Sequence, residues 1–179
     1  METKNVSVEE MESYVARFSN LRGSDEAYLD SRLPGYQRMK MNLVGMGVVE
    51  AVDKPELQPN IPLPAHGFNL GMIQAETGHG AALHAHETEE VFMPLVGAWA
   101  IVWMSDDGEK EIVLEPFDTI SVPIGVYRGF RYVGEGKGTL LTLIGGPDAG
   151  RVDWHPSVTS AAAETGLSRN EAGDLQVNA

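Results

Sequence analysis

From Gly67 to Ile144 the chain is a series of short apolar stretches cut at close intervals by glycine, aspartate and proline, with no helical segment between them. Stretches of this length and makeup read as strands: Phe68 to Ala75, Ala81 to His86, Glu90 to Val96, Ala98 to Met104, Glu111 to Glu115, Thr119 to Val122, Arg128 to Val133 and Thr139 to Ile144. The turns between them are explicit at Gly97, at Asp106-Asp107-Gly108 and from Gly134 to Gly138. Eight short strands without an intervening helix point to an all-β sandwich or barrel.

The flanks carry the helical signals. Ser7 followed by Glu10 reads as a capping box, and Val8, Met11, Tyr14, Val15, Phe18 and Leu21 follow helical spacing. A helix is expected over about 8–20, ending near Gly23, with an apolar stripe that must pack on the barrel or on a neighbouring subunit. The Met39 to Val49 stretch reads as an extended arm with strand character, cut off by Pro55, Pro59, Pro62 and Pro64. Pro156 and Gly166 bracket a short helix, and the last dozen residues read as a polar tail. No internal repeat is present. The expected division is a helix and arm over 1–59, a barrel over 60–146 and a helix and tail over 147–179, all in one globular domain.

Charge and composition narrow the function classes. The formal net charge is −13, from 26 acids against 13 lysines and arginines, with no basic run, which argues against nucleic acid and anionic membrane as partners. The chain has no cysteine, which excludes disulfides, thiolate catalysis and sulfur-built zinc sites. An acidic, amphipathic N-terminus is no secretory signal, and no apolar stretch approaches a membrane span, so the expected location is the cytoplasm.

Chemistry concentrates at His84, His86 and Glu90. A two-residue step turns a helix by roughly 200°, so the two histidines cannot share a helix face, whereas on a strand they share one with Cα atoms about 6.5 Å apart. A straight strand would carry Glu90 about 13 Å beyond His86, too far for one ion with ligand bonds of ~2 Å. Glu87, Thr88 and Glu89 must therefore turn the chain and return Glu90 at the start of the next strand. Two imidazoles and one carboxylate are the ligand set of non-haem iron and of many zinc or manganese sites. Of the other histidines, His79 has the opposite parity to His84 and His155 reads as structural. Glu87 and Glu89 read as solvated turn residues, and Trp99 and Trp103 as core or interface.

Gly78, His84, His86, Glu90 and Gly97 also fall at the spacings of the first sequence motif of the cupin superfamily, which this segment resembles. The resemblance covers roughly residues 60 to 146 and continues into the second motif, where Pro123 and Gly125 are in place. There Phe117 stands for the first glycine, Arg128 for the histidine that is the usual fourth ligand, and Tyr132 for an asparagine. The resemblance implies a single jelly-roll barrel, a divalent metal on His84, His86 and Glu90, and an inward face bearing Arg128, Phe130 and Tyr132. Iron is the metal favoured for this set, with zinc, manganese or nickel as alternatives.

An arginine cannot coordinate a metal, but it binds carboxylates bidentately. Arg128 is therefore read as the anchor of an anionic small-molecule substrate, against the alternative of a salt bridge to Glu90 in a metal-free pocket. Phe92, Phe130 and Tyr132 are expected to line the substrate pocket, and Tyr132 or His66 to carry protons. By analogy with cupins the expected activity is a dioxygenase, with an isomerase, lyase or dehydratase second and a non-catalytic binding module third. Cupins commonly pair beside the barrel, which adds the expectation of a homodimer or dimer of dimers.

Overall fold

Alternating burial along the strands sets the architecture. The computed structural model describes residues 3–45, 50–51, 53–62, 67–146 and 152–177. In chain order the strands are β1 (Met39–Val44), β2 (Phe68–Glu76), β3 (Gly80–Ala85), β4 (Glu90–Val96), β5 (Trp99–Ser105), β6 (Gly108–Leu114), β7 (Ile120–Val122), β8 (Arg128–Tyr132), β9 (Lys137–Gly145), β10 (Asp153–Trp154), β11 (Leu167–Arg169) and β12 (Leu175–Val177). Two helices, α1 (Val8–Glu12) and α2 (Pro156–Glu164), flank them. Each of the eight strands expected between Gly67 and Ile144 is present, with ends shifted by at most a few residues.

The strands form two antiparallel five-stranded sheets, ordered β1-β2-β9-β4-β7 and β10-β3-β8-β5-β6. On β2, Asn69, Gly71, Ile73 and Ala75 are buried while their neighbours are more open, the period-two signature of a strand with one core face. Ile73, Phe92, Val122 and Leu140 from the first sheet meet Trp99, Ile101, Phe130 and Tyr132 from the second in one buried cluster. This is the expected all-β jelly roll, and the core lies between the two inner faces.

The N-terminal arm belongs to the first sheet: β1 pairs with β2, placing Lys40 opposite Ile73 and Asn42 opposite Gly71. Residues 46–49 of the expected arm lie outside the described residues. The α2 helix forms as expected, with Pro156 at its first turn and His155 as its N-cap.

Two expectations are corrected. The helix expected over 8–20 is only the five residues of α1, followed by a 3₁₀ turn at Phe18–Asn20. Its cap is as read, since the Ser7 hydroxyl accepts from the Glu10 amide at 3.1 Å. The apolar stripe, however, buries nothing: Val8 is 83% and Phe18 61% exposed, and a helix without tertiary packing is not sustained beyond a turn or so. At its end Ser13 donates from its hydroxyl to the Glu10 carbonyl, a local bond that competes with helix extension.

The polar tail is also not a tail. β11 and β12 form a hairpin, Leu167 is buried beside Trp154 and Val158, and Arg169 donates to Glu50 at 3.0 Å and to the Val152 carbonyl at 2.7 Å. The two anchoring leucines were hidden by the polar residues around them. Phe117, the residue standing for a motif glycine, takes the backbone conformation that a glycine would. It has φ 74°, the left-handed region that glycine enters without cost, and its amide donates to the Pro94 carbonyl while its ring is exposed.

Candidate metal centre

His84 lies near the end of β3, His86 follows just beyond it, and Glu90 opens β4, where it pairs with Val122 and Ile144. Glu87 to Glu89 make the reversal. A bulge in β3 sets the aim: Ala81 pairs with Phe130 and His84 with Arg128, three steps on one strand against two on the other. The extra residue lets Ala81 and His84, of opposite parity, both face inward.

The two imidazole rings meet edge to face at 5.1 Å, and each Nε2 lies 3.7 Å from the same Glu90 Oε2. All three residues are buried, and their ligand atoms lie within 4.8 Å of one another. His84 Nδ1 donates to the Ala82 carbonyl at 2.8 Å, which leaves the Nε2 lone pair facing the carboxylate. Lone pairs converging in a buried space repel one another unless a cation or proton lies between them. The donor set, its spacing and its fixed tautomer fit a divalent metal ion.

Arg128 is placed differently from the substrate-anchoring expectation. Its Nε donates to Glu90 Oε2 at 3.0 Å and its Nη1 to the Val126 carbonyl at 3.2 Å, while Nη2 is buried with no hydrogen-bond partner among the described residues. Fully buried, it holds the carboxylate in place instead of facing the cavity. Burial by itself would raise the Glu90 carboxyl, but the facing His84 and His86 rings in their protonated forms, together with the charge of Arg128, more than reverse this. They hold it well below the ordinary carboxylate range.

Tyr132 does not reach the centre. It sits four residues along β8 from Arg128, about 13 Å away. There it donates to the Glu135 carbonyl at 2.9 Å and packs on Trp99. The close approach of Gly97, Gly134 and Gly138 to its ring fixes it as a core residue. Phe92 is likewise fully buried in the core, edge to face with Phe130. Of the expected pocket aromatics, Phe130 borders the small cavity at the metal cluster. His66 lies outside the described residues. His79 is half-buried and His155 caps α2, so neither joins the cluster.

The cavity holds about 30 Å³, and its walls bring in residues that the motifs did not indicate: Tyr28, Arg38 and Lys40 from the N-terminal segment and Thr142 from β9. The signal for Lys40 was present as a lysine between Met39 and Met41, in a stretch read as extended. On the outer side of His86 opens a cleft of about 840 Å³, bordered by Gly125, Tyr127, Asp153, Leu167 and Arg169. His86 forms part of both walls.

No family model matches the chain, and no curated protein matches it. Solved structures do. The chain is similar to the polyketide cyclase RemF of Streptomyces resistomycificus, at 18% identity over 78% of this chain and 82% of that one, with a TM-score of 0.56. It is similar to a cupin 2 domain-containing protein of Halorhodospira halophila, at 19% identity over 70% and 75% of the two chains, with a TM-score of 0.50. Hazelnut vicilin (Corylus avellana) matches at 14% identity and a TM-score of 0.51 over 77% of this chain, which spans 35% of the vicilin's length.

Proposed function

The chain is a cupin by fold, and on that premise we propose that it is a metal-dependent enzyme acting on a small anionic or enolisable molecule, with a dioxygenase as the reading its donor set favours. The observation that carries this is the convergence of His84, His86 and Glu90, buried and within 4.8 Å. A divalent ion bound there, iron by preference, would supply Lewis acidity and access to dioxygen through the positions that three protein ligands leave open. The chain's own residues would position and exclude. Arg128 orients Glu90, the Ala82 carbonyl fixes the His84 tautomer, and Phe130 and Ile144 keep the inner wall apolar. The cavity takes one small polar group, so the body of a substrate would lie in the outer cleft beyond His86.

One observation favours a second reading, an isomerase, lyase or cyclase that uses no dioxygen. Lys40 places an amine on the cavity wall, where it could carry a proton. Oxygen consumption separates the two readings.

Elemental analysis of the purified chain, followed by oxygen-electrode screening of catechols, hydroxyaromatic acids and diketones with the iron-loaded form, tests the proposal. Near-stoichiometric divalent metal is expected in the wild type, lost in His84→Ala and on acidification, because an imidazole must be neutral to coordinate. A wild-type chain that takes up no metal, or a His84→Ala variant that holds as much, overturns it.

A further inference from the structure

Lys40 stands on β1, outside both motif segments, yet its side chain enters the barrel on the same inner face as Ile73 and is only 4% exposed. Its ammonium lies 3.4 Å from the Thr142 hydroxyl, the hydrogen bond it makes among the described residues. The niche is shaped for it. A Cβ on Gly71, which pairs with Thr142, would collide with the ammonium, so the absence of a side chain there makes room for the lysine tip.

Charge matching sets Lys40 apart from the other cations of the cavity region. Arg38 is paired with Asp30, donating to both carboxylate oxygens at 3.0 Å, and Arg128 is paired with Glu90. No carboxylate lies within 4.0 Å of the Lys40 ammonium among the described residues. A buried ammonium with no ion-pair partner carries a desolvation penalty that only the longer-range attraction of Glu90 offsets. Met41 and Leu43, its neighbours of opposite parity, are also buried, so an apolar side chain would suit this strand.

We propose that Lys40, with Thr142, is the anion-anchoring residue of this site, holding a carboxylate or enolate oxygen of the substrate in the cavity that His84, His86 and Glu90 share. This rests on the reading of the cavity as a substrate site, and it moves the anchoring role from Arg128, which Glu90 engages, to a residue of the N-terminal arm. The cavity's size suits a single carboxylate group, with the remainder of the molecule passing His86 into the outer cleft. Burial lowers the amine to about 8, so at neutral pH it is predominantly charged and would attract an anion.

Calorimetric titration of the metal-stripped full-length chain with acetate, and with neutral acetamide as control, tests the anchor independently of any metal. Saturable acetate binding is expected in the wild type, weakened about tenfold or more in Lys40→Met and largely retained in Lys40→Arg, with acetamide indifferent to all three. A lysine serving only structure would instead lower the melting temperature when replaced by methionine, whereas the anchor reading expects that temperature to rise. Lys40→Gln serves as second variant if the methionine form does not fold. Equal acetate affinity in wild type and Lys40→Met, or no acetate binding by the wild type, overturns the proposal. Lys40-dependent acetate binding by a chain that never takes up metal leaves the anchor standing and sinks the metal reading alone.

Discussion

The side chains at the centre differ in how each buried charge is compensated. Glu90 is matched by Arg128 and faced by two imidazoles, and Asp30 is matched by Arg38 and also accepts from the Ala82 amide. Lys40 has no such match, and linkage makes this measurable. Its pKa falls from 10.5 in the unfolded chain to about 8 in the folded one, with burial as the main cause. Between those values the unfolded state binds more protons, so stability rises as pH climbs from 8 to 10.5, and falls as pH drops back through 8. The contribution is up to about 3 kcal/mol. Urea denaturation of wild type and Lys40→Met across pH 7 to 10.5 should show the methionine variant more stable at neutral pH, with the difference shrinking towards pH 10.5. A constant difference would mean that the lysine titrates in the fold as it does in the unfolded chain, its charge already compensated there.

Among the elements, the connection between β6 and β7 carries a local strain that the sequence comparison exposes. Phe117 occupies the left-handed region at φ 74° where the cupin motif has glycine, and its ring is 72% exposed. Left-handed backbone costs an L-residue roughly 1–2 kcal/mol, while glycine loses about 0.5–1 kcal/mol of chain entropy on folding. The first effect is the larger, so Phe117→Gly is expected to stabilise the protein by up to about 1 kcal/mol, read as a higher urea midpoint at unchanged slope. A lower midpoint would show that the exposed ring contributes packing that offsets the strain. The same scale explains the N-terminus, where the Ser7 cap works but α1 stops after five residues because its apolar stripe has no partner among the described residues.

For the whole molecule, that unpartnered stripe keeps the motive for two-fold pairing. Val8, Met11 and Phe18 are 83%, 51% and 61% exposed, on a segment that buries nothing. We expect a homodimer that covers them, the commonest oligomer symmetry. Sedimentation of the full chain at micromolar concentration should give twice the 19.4 kDa chain mass, and Val8→Ser with Phe18→Ser should shift it towards monomer. A wild type that sediments as a monomer throughout removes this expectation. Among the described residues no helix is long and apolar enough to cross a membrane.

By itself the sequence determined whatever depends on local order along the chain. The eight strands follow from alternation and turn residues, the Ser7 cap from a three-residue spacing, and the pairing of His84 with His86 from strand parity. The return of Glu90 follows because a straight strand could not bring it within one ion's reach. What the tertiary structure decided concerns partners distant in sequence. In the sequence Arg128 reads as substrate anchor or as partner of Glu90, and 38 residues separate the two, so only the packing of β4 and β8 into facing sheets brings them to 3.0 Å. Tyr132 shares parity with Arg128 but sits a strand's length away, because parity fixes the face and says nothing of depth along the barrel. Lys40 reaches the centre because β1 adds to the sheet edge in one register, opposite Ile73, from which its side chain reaches Thr142, 102 residues on. Side-chain direction is a local property of the backbone, whereas the company a buried charge keeps is fixed only when the sheets close.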